Sequence, residues 1–140
     1  MTAILTALLA ISVQAGAPPA GTLLRTIAKG DQSSIDEARQ AVARTPAEWQ
    51  ALWRQHDPER RVPAVDFSKE MVVGLFLGSR PTAGWILEIV SATLEGDALV
   101  VRYRERPPPS GAVTAQVITS YFHLVAVQKT SGTVRFEIQK

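Results

Sequence analysis

Apolar residues along this chain recur mainly at the spacing of strands. The run Met71–Leu77 is almost wholly apolar, which predicts a strand covered on both of its faces. Gly74 inside this run indicates a bulge or a close packing contact. The stretch Trp85–Leu94 is also largely apolar, and across 99–104 apolar and polar residues alternate as in a strand with one buried face. Between these two stretches, Leu94–Leu99 has the polar residues of a hairpin turn.

Shorter apolar stretches extend the same pattern towards both ends of the chain. They predict further strands at Thr22–Ala28, Ala38–Arg44, Val113–Thr119, Phe122–Val127 and Thr133–Ile138. The sum is about seven short strands joined mostly by tight turns. Together with one helix, this pattern favours a mainly β (α+β) fold, an antiparallel β-sandwich or open barrel with a single amphipathic helix packed on it.

One helix has a clear start in the sequence. Thr45-Pro46-Ala47-Glu48 is a capping box, in which the Thr hydroxyl accepts the N–H of Glu48 and the Glu carboxylate accepts the N–H of Thr45. Its proline takes the first helical position, where no hydrogen bond is lost. The helix is expected to end before Asp57-Pro58. Its apolar face holds Trp49, Leu52, Trp53 and His56. The two tryptophans fit either a binding surface or packing on the sheet, and their large apolar area favours packing.

Composition supports one folded domain. The chain has 140 residues, of which 46% are hydrophobic and 20% charged, so a packed core is expected and a disordered chain is not. The net charge is +2, and the Lys and Arg residues form no basic run, which gives nucleic-acid binding little support. Because there is no cysteine, disulfides, thiolate metal sites and cysteine nucleophiles are excluded.

The first residues predict an exported protein. An apolar run that begins at Ala3 ends in small residues, as in a signal peptide cleaved after Ala15. We therefore divide the chain into a signal peptide at 1–15, a linker at 16–21 and one domain at 22–140. The mature protein is expected in the periplasm or outside the cell, and the run is too short for an ordinary membrane span. Because no Lys or Arg precedes the run, two alternatives stay open: a cytosolic protein with an apolar N-terminus, or an uncleaved interfacial segment.

Residues that could carry catalysis or bind a metal are sparse. The two histidines, His56 and His123, are not spaced with carboxylates as zinc ligands are, and no phosphate-binding glycine pattern occurs. We therefore predict no catalytic residue, no metal site and no cofactor. A hydrolase that uses His123 with a nucleophile brought near it by the fold stays open, because such assemblies are defined by geometry and not by sequence order.

The loop 78–85, Gly-Ser-Arg-Pro-Thr-Ala-Gly-Trp, is the candidate binding site. Proline restricts the loop, which lowers the cost of ordering it on binding, and glycine permits close approach to another chain. Arg and Trp are residue types that often dominate protein interfaces. The candidate binding residues are Arg80, Pro81, Thr82, Gly84 and Trp85. The alternative is a plain rigid turn, in which Trp85 shares the inward face of the next strand with Leu87 and Ile89.

Over about Glu48–Ile138 the chain resembles the C-terminal domain family of the protease complex subunit PrcB. The resemblance rests on the helix AEWQALWRQH, the segment MVVGLFLGSRPTAGW, the EIV that follows it and the later segment Tyr121–Val127. The usual loop of the family is Gly-x-Arg-Pro-Thr-Gly-Gly-Tyr, and this chain has Ala83 for the first paired glycine and Trp85 for the tyrosine. The resemblance implies an exported protein-interaction module associated with a peptidase complex, with no catalytic residues.

A second, shorter similarity is to chagasin-type inhibitors of papain-like cysteine peptidases. Their β-sandwich carries a loop with Asn-Pro-Thr-Thr-Gly followed by an aromatic residue, which is similar to 80–85 here, and Arg106–Gly111 is a candidate companion loop. The sequence thus predicts a non-enzymatic domain that binds a protein, and the family resemblance implies an association of this domain with a peptidase. Peptidase inhibition is the alternative, and a structural envelope domain without a loop-based partner is a further one.

Overall fold

The computed structural model describes residues 24–140. Along the chain the elements are β1 (Leu24–Gly30), β2 (Arg39–Ala43), α1 (Pro46–His56), β3 (Glu70–Arg80), β4 (Ile86–Glu95), β5 (Ala98–Arg106), β6 (Thr119–Gln128) and β7 (Thr133–Ile138). The predicted signal peptide at 1–15 and linker at 16–21 lie outside the described residues, as does the predicted start of the domain at Thr22.

The described strands form two sheets. One has the order β1-β6-β3-β2 with every pair antiparallel, and the other has the order β4-β5-β7. The predicted mainly β, sandwich-like fold with one helix is therefore confirmed, and the two sheets do not close into a barrel. The expectation of a wholly antiparallel arrangement is wrong at one pair, because β5 and β7 run parallel. Between them the chain forms β6 in the other sheet and so re-enters the second sheet in the direction of β5.

β3 has both faces buried, as its apolar run predicted. Met71, Val73, Leu75 and Leu77 point into a core shared with the second sheet, whereas Val72 and Phe76 join a separate cluster on the helix side. Gly74 fits the prediction of close packing, because a Cβ there would lie 2.5 Å from the Leu124 side chain on β6. The strand is longer than predicted and continues to Arg80, into the candidate loop.

Helix α1 packs on the outer face of the four-stranded sheet. Trp49 and Trp53 are buried in the helix-side cluster, which confirms packing on the sheet as the role of both. The capping prediction is right for Thr45, whose hydroxyl accepts the N–H of Glu48 at 3.2 Å. The Glu48 carboxylate instead accepts the N–H of Arg44, one residue before the predicted donor, at 3.3 Å.

The strand predicted at Val113–Thr119 is absent, and only Thr119 belongs to a strand. The β-branched residues here have the local preference for a strand, but no described strand lies beside them to supply the pairing hydrogen bonds. Residues 107–118 therefore connect β5 to β6 as an irregular segment, which we call the 107–118 segment. No helix within residues 24–140 has the length and apolar character needed to cross a bilayer.

Candidate functional site

β3 is interrupted by a bulge directly before the candidate binding residues. Its pairing with β6 shifts register between Phe76 and Gly78, and Gly78 has a φ of +82°. A Cβ at this position would lie 2.8 Å from the backbone nitrogen of Ala38, so both the conformation and the space require glycine. The Ser79 N–H donates to the Asp36 carbonyl at 2.9 Å. The backbone that leads into the loop is therefore fixed against the residues before β2.

The loop after β3 is held by hydrogen bonds to residues far away in the sequence. Each of three consecutive loop residues, Thr82 to Gly84, makes one of these hydrogen bonds through a backbone group. The Thr119 hydroxyl donates to the Thr82 carbonyl at 2.8 Å, the Ala83 N–H donates to the Ala115 carbonyl at 3.0 Å, and the Gly84 N–H donates to the Tyr121 hydroxyl at 3.0 Å. The loop is thus a rigid connection, as its proline and glycine content predicted.

Gly84 brings the 107–118 segment against the loop. Its φ is +93°, and a Cβ there would lie 2.8 Å from Thr114 Cγ2 and 3.2 Å from Pro108 Cγ. The proline loop considered as a companion loop therefore does lie beside the candidate loop. Ala83, which replaces the first paired glycine of the PrcB pattern, needs no special conformation, because no non-glycine residue among those described has a positive φ.

Arg80 and Trp85 form a pair across the loop. The guanidinium carbon of Arg80 lies 4.8 Å from the centre of the Trp85 ring, within range of a cation–π interaction. Trp85 is partly buried and packs against the core between the sheets. Its side chain is therefore partly inward-facing, as in the alternative interpretation of the loop as a plain turn. Arg80 Nε and Trp85 Nε1 are both buried without a hydrogen-bond partner.

The other two tryptophans differ from Trp85, because both of their indole N–H groups have acceptors. Trp49 Nε1 donates to the Pro63 carbonyl at 2.9 Å, and Trp53 Nε1 donates to the Arg60 carbonyl at 3.0 Å. A buried N–H without an acceptor costs about 1–3 kcal/mol. The fold satisfies the indoles that hold the helix and leaves the indole of the candidate site unsatisfied.

A cleft of about 340 Å³ opens beside Trp85. Its apolar walls are Trp85, Ile86 and Leu87, and Tyr121 lies at the side of the loop. The Tyr121 hydroxyl accepts the Gly84 N–H, which leaves its own O–H free to donate. Lys29 and Asp31 at the end of β1 place one charge of each sign at the cleft. Such a cleft fits an apolar side chain next to a backbone or charged group.

Of the predicted binding residues, Arg80, Thr82 and Trp85 are partly buried, while Pro81 and Gly84 are exposed. The structure brings all five into one loop edge. It adds Tyr121 and Ile86, which sequence reasoning did not assign to the site, and Pro108, which belongs to the proposed companion loop. Tyr121 was part of a recognised segment, but only the antiparallel pairing of β3 with β6 places its hydroxyl at the loop.

His123 lies elsewhere and joins the two sheets. It is 3% exposed, and its Nδ1 accepts the Ile89 N–H of β4 at 2.8 Å. Nε2 then carries the proton and donates to the Thr26 hydroxyl at 2.9 Å. Burial, with a smaller effect of the Lys29 charge, lowers the pKa of His123 to about 4. Since both ring nitrogens are used in structural hydrogen bonds, the hydrolase alternative based on His123 gains no support.

His56 is also buried, at the end of α1. Its Nδ1 lies 2.8 Å from the Ser33 hydroxyl, and its ring lies 4.1 Å from the centre of the Phe122 ring. Burial lowers the pKa of His56, while the neighbouring Asp57 carboxylate acts in the opposite direction. Within residues 24–140, no three His, Asp or Glu side chains are grouped closely enough to hold a metal ion.

The fold and the loop together define a class, a two-sheet β-rich domain whose candidate site is a loop edge beside a small cleft. One comparison with known proteins found a similarity to a family. A family model described as PrcB C-terminal matches residues 71–128, which confirms the predicted resemblance over β3 to β6. The match covers less than half of the chain, leaves out β1, β2, α1 and β7, and includes the whole candidate loop.

The other comparisons were negative. No curated protein and no solved structure matches the chain. The similarity to chagasin-type inhibitors finds no support in these comparisons and stays a prediction from the loop sequence.

Proposed function

We propose that this chain is an exported, non-enzymatic domain that binds a protein partner, a component of a peptidase complex, through the loop 78–85. The observation that carries the proposal is the pair of buried N–H donors without acceptors, Arg80 Nε and Trp85 Nε1, on an otherwise satisfied loop. Arg and Trp are enriched among residues that dominate binding energy. The match to the PrcB C-terminal family over 71–128 supports the choice of partner class.

Rigidity of the loop favours binding over a role as a simple connection. The loop is held by its hydrogen bonds to Thr119, Ala115 and Tyr121 before any partner arrives. Little conformational entropy is then lost when a partner binds, because the contacting backbone is already ordered. A rotation of either side chain would expose its N–H to a carbonyl or carboxylate of the partner, which would remove a desolvation cost of about 1–3 kcal/mol.

The cleft beside the loop gives the partner an anchor. Trp85, Ile86 and Leu87 offer an apolar wall, and Ile86 is 48% exposed. Filling the cleft with one apolar side chain of the partner would cover Ile86 and more of the Trp85 ring. Burial of such a side chain contributes about 1.5–3 kcal/mol, which is the scale of a single interface hot spot.

Binding is tested by capture with three forms of the full chain as bait. One is unchanged, one carries Arg80→Ala with Trp85→Ala, and a matched control carries Arg54→Ala with Phe67→Ala. The control likewise loses one Arg and one partly buried aromatic residue, but on the helix side. We expect an extracytoplasmic protein to be captured by the unchanged and control baits and lost with the loop variant. Equal capture by all three folded baits would contradict the proposal.

Export rests on the apolar run in residues 1–15 and is tested separately. Expression in the native cell followed by fractionation and mass spectrometry of the N-terminus should give an extracytoplasmic protein that begins at Gly16. An intact N-terminus in the cytosolic fraction would contradict export without touching the binding proposal.

Inhibition of a papain-like peptidase is the second candidate, favoured by one observation. Pro108 lies against Gly84, so the companion proline loop and the candidate loop are side by side, as an inhibitor with two contacting loops requires. Titration of papain with the full chain tests this candidate. Stoichiometric loss of activity that Trp85→Ala abolishes would support it, and full activity at a large excess of the chain would exclude papain as a target.

A further inference from the structure

The 107–118 segment is the most apolar exposed part of the described structure. Large exposed hydrophobic side chains among residues 24–140 are Ile86, Val113, Val117, Ile118 and Ile138. Three of these lie in the segment, where Val113 is wholly exposed and Ile118 is 75% exposed. Scattered apolar residues on a surface need no explanation, but a contiguous group indicates a site of interaction.

Most backbone N–H groups of the segment are also unpaired. Apart from the Ala112 N–H, which donates to the Pro109 carbonyl, the N–H groups across 107–118 make no hydrogen bond to any described residue. The sequence Val113–Thr119 nevertheless has the β-branched composition of a strand. Exposed strand-forming residues with free N–H groups are a template for an added strand.

This template is continuous with the candidate loop. The Ala83 N–H donates to the Ala115 carbonyl, and Gly84 lies against Thr114 and Pro108. At the start of the segment, Arg106 pairs in register with Ile86, which lines the cleft beside Trp85. The loop, the cleft and the segment therefore form one surface.

The charges around this surface select the kind of partner. Residues 107–118 carry no charge. Arg104 and Arg106 lie at the end of β5 directly before the segment, and Arg80 pairs in register with Thr119 directly after it. None of these three arginines forms an ion pair with a described residue, and Arg104 and Arg106 are exposed. Glu105 is the single acidic residue between Arg104 and Ile118. A second copy of the chain would bring like charges together, whereas an acidic partner would be attracted.

We propose that residues 113–118 become a strand by pairing with an extended segment of the partner in which apolar and acidic residues alternate. In such a strand Val113 and Val117 lie on one face and Ile118 on the other. The apolar side chains of the partner cover Val113 and Val117, and its carboxylates meet the arginines that border the segment. This is recognition by strand addition, in which backbone hydrogen bonds give affinity and side chains give specificity. The inference rests on the proposed function, because it describes how the same partner is held.

The probe is a fluorescein-labelled peptide of about ten residues, a usual strand length, with alternating Val and Glu. A matched peptide carries Lys in place of Glu. In fluorescence anisotropy with the full chain, the Glu peptide is expected to bind at least about tenfold more tightly than the Lys peptide. Hydrogen exchange should slow at the amides of residues 113–118 when the Glu peptide is added. Equal affinity for the two peptides, no binding of the Glu peptide, or protection only at another strand edge would overturn the proposal.

Gln116→Pro removes one free N–H from the edge of the segment that faces away from the loop, because Ala115 faces the loop through its carbonyl and the next residue of a strand faces the other way. Gln116→Thr is its control, because it also removes the Gln116 side chain, which donates to the Thr114 carbonyl, but keeps the backbone donor. We expect Gln116→Pro to bind the Glu peptide at least about tenfold more weakly than Gln116→Thr does. Equal affinity of the two variants contradicts strand pairing.

The same variants separate this inference from the proposed function. If the captured partner is lost with Arg80→Ala/Trp85→Ala but retained by Gln116→Pro, the loop binds the partner and strand pairing is wrong. If both variants retain it, the proposed function is wrong as well. A dimer in light scattering that dissociates on Ile118→Asp would assign the segment to a second copy and overturn the acidic partner.

Discussion

β6 and residues 113–118, which precede it in the 107–118 segment, both contain several strand-forming residues but have opposite surroundings. Val125 and Val127 on β6 are completely buried, with β1 on one side and β3 on the other. Val113 and Val117 are exposed, and no described strand lies beside them. The difference shows that a β-branched sequence becomes a strand only where a neighbour supplies hydrogen bonds and cover. The strand-forming residues that lack a neighbouring strand lie beside the candidate site.

The largest contrast is expected in amide hydrogen exchange. Amides of Leu124 to Val127 should exchange only through global opening, while those of Val113 to Val117 should exchange almost as in a peptide. For a domain of ordinary stability, about 5 kcal/mol or more, the two regions would differ by at least about a thousandfold. Mass spectrometry or NMR of the free chain measures this difference. Comparable protection in both regions would mean that the segment is paired in solution.

A second contrast is in the cost of removing a side chain. Leu124 is completely buried in the helix-side cluster, and Leu124→Ala should lower the free energy of unfolding by about 2–5 kcal/mol. Ile118→Ala removes a side chain that is 75% exposed and should change the free energy of unfolding by less than about 0.5 kcal/mol. Urea unfolding of both variants gives the comparison. A large loss for Ile118→Ala would show that the segment already packs on something.

Protonation provides a third test, since His123 ties β6 to β4. The pKa of His123 is lowered from 6.5 to about 4, mainly by burial. Above pH 6.5 both the folded and unfolded states are neutral at this residue, so it causes no pH dependence there. As the pH falls from 6.5 to 4, the unfolded state binds a proton that the folded state does not, and up to about 3 kcal/mol of stability is lost.

Urea unfolding at several pH values measures how the free energy of unfolding changes with pH. His123→Asn is the control. The Asn side chain keeps an acceptor for the Ile89 N–H but does not titrate. Part of the slope remains in the variant, because the pKa of His56 is lowered by burial in the same direction. If the free energy of unfolding of His123→Asn depends on pH as strongly as that of the unchanged chain, His123 does not cause the loss of stability at acid pH.

The smallest effect concerns the contact between the loop and the 107–118 segment. Gly84 and Gly111 both have a positive φ, but a Cβ on Gly84 would meet Thr114 and Pro108, whereas a Cβ on Gly111 would meet nothing within 4 Å. Each Gly→Ala change should cost about 1–3 kcal/mol from backbone strain. Gly84→Ala should cost more, by a margin that measures the contact in urea unfolding. Equal losses would mean that the two loops do not support each other.

Local patterns in the sequence predicted the parts of the fold that local chemistry determines. Thr45 and the spacing of Trp49 and Trp53 were enough for the helix, and the apolar run at Met71–Leu77 was enough for a strand with two buried faces. The parallel pairing of β5 with β7 could not be predicted, because it depends on the chain leaving the second sheet after β5, forming β6 in the first sheet and returning as β7. The strand at Val113–Thr119 was predicted wrongly, since propensity does not reveal whether a neighbour is present.

The candidate site was predictable in part for the same reason. Arg80 and Trp85 were named from residue type, and the Pro-Gly content of the loop indicated its rigidity. Their mutual contact, the missing acceptors and the hydroxyl of Tyr121 arise from the tertiary arrangement. Residue types thus indicated the location, while the register of β3 with β6 determines the geometry.

The position of the exposed segment in the chain has a consequence for proteolysis. A cut within 107–118 would divide the described chain into a fragment with β1 to β5 and a fragment with β6 and β7. β6 lies between β1 and β3, and β7 lies beside β5, so each fragment contributes strands to both sheets. The nicked protein would therefore keep its shape as a complex of two interlocked fragments. Its thermal unfolding would then be bimolecular, with a midpoint that rises with protein concentration.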